Sequence, residues 1–257
     1  MSKRHFLHLS ICKLFILISL SSYAQTIINT ASISHDLDSA LSLVVDVSGS
    51  FSRGNADINR IKANTGIGVS TGENSSIWLL SGFNELRTNS DLVQQSKFLH
   101  GRFNYELRPR IIVSAFTQYQ SNLVLDMKSR VLLGTNLGFG LDKKAHTMLL
   151  TGVFYEAERY LSGEEQALIR LNIVGFTEKK FEHFEVVGFM YFQPNSANFS
   201  DFRYIGEASL RVPISSFLQL STNFVARYDS SPHSSLSTWD TNFNIGLRLE
   251  LHKSEKQ

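Results

Sequence analysis

The side chains whose types and spacing can do chemistry are a scattered set of charges and a histidine. Arg60, Lys62, Arg102, Arg130, Arg170, Arg203, Arg211, Arg227 and Arg248 are the cations; Glu106, Glu156, Glu185, Glu207 and Glu250 are the anions; His100 stands two positions before Arg102. A histidine base needs a serine nucleophile or paired acids within hydrogen-bond reach. No Ser/His/Asp spacing is legible around His100, and His183 reads the same way, as a histidine satisfied inside a strand. Zinc needs three or four converging ligands, and no such cluster is spelled out. Gly66-Ile67-Gly68 and the glycines from Gly134 to Gly140 lack the spacing and the following helix of a phosphate-cradling loop. On the inner face of a barrel, small residues instead let a ring or an arginine from a neighbouring strand lie across the wall. No catalytic residue, metal ligand or cofactor is therefore expected. What remains for the charges is to line a polar interior.

The elements that must position them follow from a period of two. Leu41, Leu43, Val45, Val47 and Phe51 share one face, with Ser42, Asp46, Ser48 and Ser50 on the other. Leu99, Phe103, Tyr105 and Leu107 oppose His100, Arg102, Asn104 and Glu106. Phe202, Tyr204, Ala208, Leu210 and Val212 oppose Arg203, Glu207, Ser209 and Arg211. At the end, Trp239, Thr241, Phe243, Ile245, Leu247, Leu249 and Leu251 oppose Asp240, Asn242, Asn244, Arg248 and Glu250. Such alternation marks strands with two unlike faces. Counting the segments predicts about twelve, near 40–53, 57–70, 76–88, 95–107, 111–121, 129–141, 146–157, 166–177, 182–193, 202–212, 217–228 and 238–251. The third and ninth are the least clear, because apolar residues occupy both of their faces.

The start of the 257-residue chain reads as an export signal. Lys3, Arg4 and Lys13 precede or flank the apolar run Leu14 to Leu20, and Ser22-Tyr23-Ala24 offers a cleavage site before Gln25. That run is too short to cross a bilayer as a helix, which takes about 20 residues. The expected organisation is a cleaved signal peptide at 1–24, a polar tail at 25–39 and one barrel at 40–257. The only cysteine, Cys12, falls in the signal, so a mature chain carries no disulfide or thiolate metal site. Of 25 basic and 23 acidic residues, the first 24 positions hold three basic and no acidic ones, leaving 22 against 23. This balance gives no reason to expect a nucleic-acid partner.

Alternation leaves open which face is inside. A sandwich hides its apolar face, whereas a membrane barrel turns it to lipid. Three features favour lipid. Connections alternate in length: Arg108-Pro109-Arg110, Asp142 to Ala145 and Pro213 to Ser216 are short, while Thr88 to Gln94, Glu158 to Glu165, Pro194 to Asp201 and Asp229 to Ser237 are longer. Arg53-Gly54-Asn55-Ala56 is an exception. Aromatics gather at two levels, with Phe51, Tyr119, Tyr155, Phe192, Tyr204, Tyr228 and Trp239 at the outer one and Trp78, Tyr105 and Phe139 at the inner one. Finally, the charged residues of the polar face are too many for a dry core. The reading is an all-β, single antiparallel up-and-down transmembrane barrel.

The run Ser48-Gly49-Ser50-Phe51-Ser52-Arg53-Gly54-Asn55, with Leu132, Gly134, Leu137-Gly138-Phe139-Gly140 and Val153-Phe154-Tyr155-Glu156-Ala157-Glu158-Arg159-Tyr160, resembles the YdiY-type family. Its members are described as salt-induced outer-membrane proteins and form a domain of unknown function. The likeness spans Leu41 to the C-terminus and implies an outer-membrane barrel; it supplies no catalytic or ligand residues. Outer-membrane lipid and, during insertion, the barrel-assembly machinery are the implied partners. Because the chain ends on Lys253 to Gln257, the insertion signal is expected within Phe243 to Leu251. The function expected is a non-enzymatic narrow pore or a structural, stress-related envelope component, with no solute specified. An outer-membrane enzyme acting on lipid or peptide, and a soluble periplasmic β-protein binding a small ligand, stay open as alternatives. The listing of charges further predicts a salt-bridged interior in which Arg203, Glu207 and Arg211 reach Glu185 and Arg227, and a small anion-favouring passage flanked by Arg102 and Arg130.

Overall fold

The computed structural model describes residues 41–253 apart from 55–56, 73, 143–145 and 234–235. The expected signal peptide and polar tail lie outside the described residues. Twelve strands form: β1 (Leu41–Ser52), β2 (Ile58–Gly72), β3 (Ser75–Thr88), β4 (Asp91–Arg108), β5 (Ile111–Asn122), β6 (Met127–Gly140), β7 (Thr147–Tyr160), β8 (Glu165–Lys180), β9 (Glu185–Pro194), β10 (Phe202–Pro213), β11 (Leu218–Asp229) and β12 (Trp239–Lys253). Each pairs antiparallel with its sequence neighbours, and β1 pairs with β12, so the sheet closes. Closure leaves no edge strand with unpaired backbone groups, which is the condition for a sheet in lipid. The fold is thus the all-β twelve-stranded barrel that the sequence predicts.

The period of two sorts the faces. Leu79, Leu99, Leu133, Ile169, Leu210 and Ile245 point outward and stay exposed, while Ser42, His100, Arg130, Arg170, Arg211 and Arg248 are buried inside. A soluble protein does not display so broad an apolar surface, and lipid is the medium that covers one. Phe192, Phe202, Tyr228 and Trp239 make a ladder of rings around one end, with successive centroids 5.6, 5.6 and 5.0 Å apart. That end is called the upper rim here. It carries the connections that follow odd-numbered strands; the lower rim carries the others.

Several expectations are corrected. Trp78 is not part of an aromatic belt: it points inward and is 2 % exposed. Its ring lies across Gly68, where a Cβ would come within 2.5 Å of it, so the backbone there must be glycine. Apolar residues on both faces of β3 and β9 hid this inward turn. The expected long connection from Thr88 to Gln94 is instead a tight turn at Asn89 and Ser90, with φ of 49° and 73°. Two successive positive φ values match the twist of a hairpin. The expected short connection at Asp142 to Ala145 runs from Leu141 to His146 between β6 and β7. Length alternation therefore fails in the first half of the barrel. His183 sits not in a strand but in the turn before β9, which is closed by a 2.8 Å bond from Phe181 N–H to the Phe184 carbonyl; its side chain is 83 % exposed.

Candidate functional site: two unlike halves of the interior

The interior is not one environment. On the side of β6 to β10 and the adjoining end of β11, charges are buried and tied across the barrel. Arg203 on β10 places Nη1 2.6 Å from Glu156 Oε1 on β7, Nη2 3.2 Å from Glu158 Oε1, and Nε 2.9 Å from Asp229 Oδ2. Since β8 and β9 lie between β7 and β10 in the sheet, this arginine spans the lumen as a chord. Arg170 on β8 gives Nε to Glu156 Oε2 at 2.8 Å and Nη2 to Asp201 Oδ1 at 3.1 Å. Arg130 on β6 pairs with Glu156 at 3.1 Å and with Glu158, which also accepts the Tyr160 hydroxyl at 2.5 Å. Three arginines thus meet Glu156, Glu158, Asp201 and Asp229, and Arg170 Nη1 donates to the Gln193 carbonyl at 3.2 Å. Charges out of water persist only when paired this fully.

Local structure delivers these partners. The connection from Asn195 to Asp201 is a compact loop held by Asn195 N–H to the Asp201 carbonyl at 2.8 Å and Asn198 N–H to the Asn195 carbonyl at 3.2 Å. It turns back onto β8 through Ser196 N–H to the Ile169 carbonyl, 2.9 Å, and so sets Asp201 against Arg170. Above it, His233 of the β11–β12 connection stacks on Tyr160, centroids 3.6 Å apart, with Nε2 3.5 Å from Glu164. Below the charges a ladder of amides follows: Gln193 to Asn172 at 2.9 Å, and Asn172 to Asn136 at 2.8 Å. Towards the lower rim, Met148, Val174, Phe176, Val187 and Phe189 fill the interior with apolar packing. This half of the lumen is sealed.

His100 belongs to the sealed side. It is buried, its Nδ1 lies 3.0 Å from Gln118 Oε1, and it stacks on Phe116 at 5.6 Å. Only a cavity of about 40 Å³ adjoins it, shared with Arg102, Tyr191 and Arg203. Phe116 and Phe154 fit there because Gly134 offers no Cβ; one would stand 2.5 Å from Phe154 Cβ.

The other side, walled by β1 to β4 and β10 to β12, holds a cavity of about 190 Å³. Its inward lining includes Arg60, Lys62, Arg211, Arg227 and Arg248 against Asp46 and Glu207, five cations to two carboxylates. Amides and hydroxyls of Asn64, Ser96, Ser209, Asn223, Asn242 and Asn244 fill the rest. Here the ion pairs are between near neighbours: Arg248 to Asp46 at 3.2 Å and to Glu250 at 3.0 Å, Arg211 to Glu185 at 3.4 Å, Arg227 to Asp240 at 3.5 Å. Glu207 accepts Asn223 at 2.5 Å. Arg60 and Lys62 make no side-chain hydrogen bond or ion pair among the described residues, and Lys62 lies within electrostatic reach of Arg227, Arg60, Glu207 and Asp46.

The structure therefore divides the charges read from the sequence. Arg130, Glu156, Arg170 and Arg203 converge in the sealed cluster. Arg60, Lys62, Glu207, Arg211, Arg227 and Arg248 surround the cavity, with Glu185 and Glu250 as neighbours of the last two arginines. Glu106 joins neither; its carboxylate accepts Arg110 N–H at 3.3 Å in the β4–β5 turn. Arg102 and Arg130 do not flank the cavity, which corrects their expected place beside a passage. Of the expected contacts, Arg211 to Glu185 forms, whereas Arg203 turns to β7 instead. Glu158, Asp201, Asp229 and Tyr160 were not singled out in the sequence. Glu158 shares the inward parity of Glu156 and was legible on that ground; Asp201 sits in a loop whose fold no periodicity reveals.

Comparison with known proteins places the fold. Residues 45–250 match a family described as a protein of unknown function, DUF481. The translocator domain of the autotransporter NalP from Neisseria meningitidis is similar in structure, with TM-score 0.51 and 9 % identity over 86 % of this chain and 91 % of that one. The NanC porin matches with TM-score 0.47 and 11 % identity over 82 % of this chain and 100 % of that one. Among curated proteins none matches the sequence. The likeness to the translocator domain concerns the barrel fold alone.

Proposed function

We propose that this chain, which belongs to the DUF481 family, is exported to the outer membrane and works there as a non-catalytic barrel with one narrow, anion-favouring path. The observation that carries the reading is the reach of the larger cavity. Its lining runs from Arg60, near the upper end of β2, to Arg211, near the lower end of β10. A twelve-stranded barrel lies between the eight-stranded size that side chains fill and the sixteen-stranded size that leaves an aqueous channel. Here side chains fill one half and leave the other as a cavity. At its lower end the Arg211–Glu185 and Arg248–Asp46 pairs narrow the way. Rings and rows of fixed charge decide which ion enters such a path, and this one presents Arg60 and Lys62 without a paired carboxylate among the described residues.

The test is single-channel recording of the purified protein in planar bilayers. Small, discrete currents are expected. Large open-pore conductance would contradict the sealed half, and silence under all voltages and salts would replace the pore by a structural role.

A further inference from the structure

We propose that the larger cavity is a binding site for a small organic anion that also carries several hydroxyl groups, a sugar acid in chemical class. The inference rests on the pore reading only for how the ligand arrives; the site itself stands on its side chains. Arg60 and Lys62 project from β2, and Arg227 faces them from β11, across β1 and β12. Arg227 has Asp240 at 3.5 Å, whereas Arg60 and Lys62 are like charges side by side that raise one another's energy, and an anion between them lowers it. Asp46 and Glu207 do not supply that anion. Asp46 is engaged by Arg248 at 3.2 Å, and Glu207 by Asn223 at 2.5 Å. Arg60 and Lys62 are left without a hydrogen-bonded carboxylate among the described residues. In the sealed half every arginine of the cluster has one, so the difference lies in the site and not in a general lack of acids.

The remaining lining says what the anion carries besides its charge. Asn223 gives its Nδ2 to Glu207 and Ser209, and Asn244 to Asn242, which leaves the Oδ1 atoms of Asn223 and Asn244, the Nδ2 of Asn242 and the whole amide of Asn64 for a ligand. A ligand that satisfies them must donate and accept in turn, which hydroxyl groups do and an apolar acid does not. Phe98 and Val225 add a small apolar patch to this lining, room for one carbon face of such a ligand and no more. A carboxylate seated on Arg60 and Lys62 with hydroxyls along the amides uses the whole cavity.

Isothermal titration of the folded protein in detergent micelles tests this, with D-glucuronate as the probe and D-glucose and inorganic phosphate as comparisons. Saturable binding of glucuronate is expected, with none of glucose. The double variant Arg60→Gln/Lys62→Gln should bind glucuronate at least tenfold more weakly, while its heat-modifiable gel mobility still reports a folded barrel. Absence of saturable glucuronate binding to the folded wild type would overturn the proposal. Unchanged affinity in the double variant would overturn the assignment of the site, and phosphate binding as tightly as glucuronate would overturn the chemical class. Because binding is read at equilibrium without a bilayer, a protein that binds but does not conduct would keep this site and lose the pore, and the converse would do the opposite.

Discussion

The two halves of the interior hold the same kinds of side chain and use them differently. Around Glu156 three arginines converge from β6, β8 and β10, and the bonds from Arg203 on β10 cross the lumen. Around the larger cavity the pairs join adjacent strands, as from Arg248 to Asp46 and from Arg211 to Glu185, and the middle stays open. A chord between distant strands fixes the barrel's cross-section; a pair between neighbours only decorates its wall. Pairing follows the same division: each arginine of the cluster meets a carboxylate, whereas beside the cavity Arg211, Arg227 and Arg248 have carboxylate partners and Arg60 and Lys62 have none among the described residues. One half has the means to hold shape, the other to hold or pass an anion.

The largest expected effect breaks the sealed half. Glu156→Ala takes one carboxylate from Arg130, Arg170 and Arg203 at once, and removing one member of a buried ionic group costs about 3–5 kcal/mol. Arg60→Ala, on the cavity side, should cost under about 1 kcal/mol, as a partly solvated charge without a fixed partner does. Urea titration of the barrel in lipid vesicles reads both, and equal losses would erase the distinction between the halves.

Next in size is the outer face. Ile245→Arg, in the middle of β12, should cost about 2–4 kcal/mol, and Leu210→Arg, nearer the lower end of β10, somewhat less. The same change at Ser209 or Asn244, one step along the chain, enters the cavity and should be milder. Similar costs at all four positions in the same titration would refute the face assignment.

Smaller again is a test of packing. Gly134→Ala puts a Cβ 2.5 Å from Phe154 Cβ and should cost about 1–3 kcal/mol, the range for overpacking. Gly206→Ala, with nothing within 4 Å of the added carbon, should leave the urea midpoint almost unmoved. A Gly134 variant as stable as wild type would mean the sealed half is loosely filled.

Much of the barrel was legible because a period of two is a local property. Leu99 through Leu107 and Trp239 through Leu251 declare both strand and face without reference to any other residue. The inward parity of Arg60, Arg170 and Arg248 followed from the same rule. What could not be read depends on distance in space. Nothing near Arg203 says that its partner is Glu156 three strands away, and nothing near Asp201 says that its loop folds back onto Arg170. Where both faces are apolar, as at Trp78 and Phe189, parity loses its contrast, and the apolar filling of the lower interior went unseen. The turn at Asn89 and Ser90 was missed because strands β3 and β4 run through residues that look like loop, held by pairing rather than by their own pattern.

The division of labour between the halves is tested most directly by the reversal potential in a potassium chloride gradient across a planar bilayer. The wild type should favour chloride. Arg60→Glu/Lys62→Glu turns five cations and two carboxylates into three and four, and should move the potential toward cation selectivity. Arg102→Gln, on the sealed side, should leave it where it was. A shift with Arg102→Gln and none with the cavity pair would contradict the account, because ions would then be passing through the half that the Glu156 cluster closes.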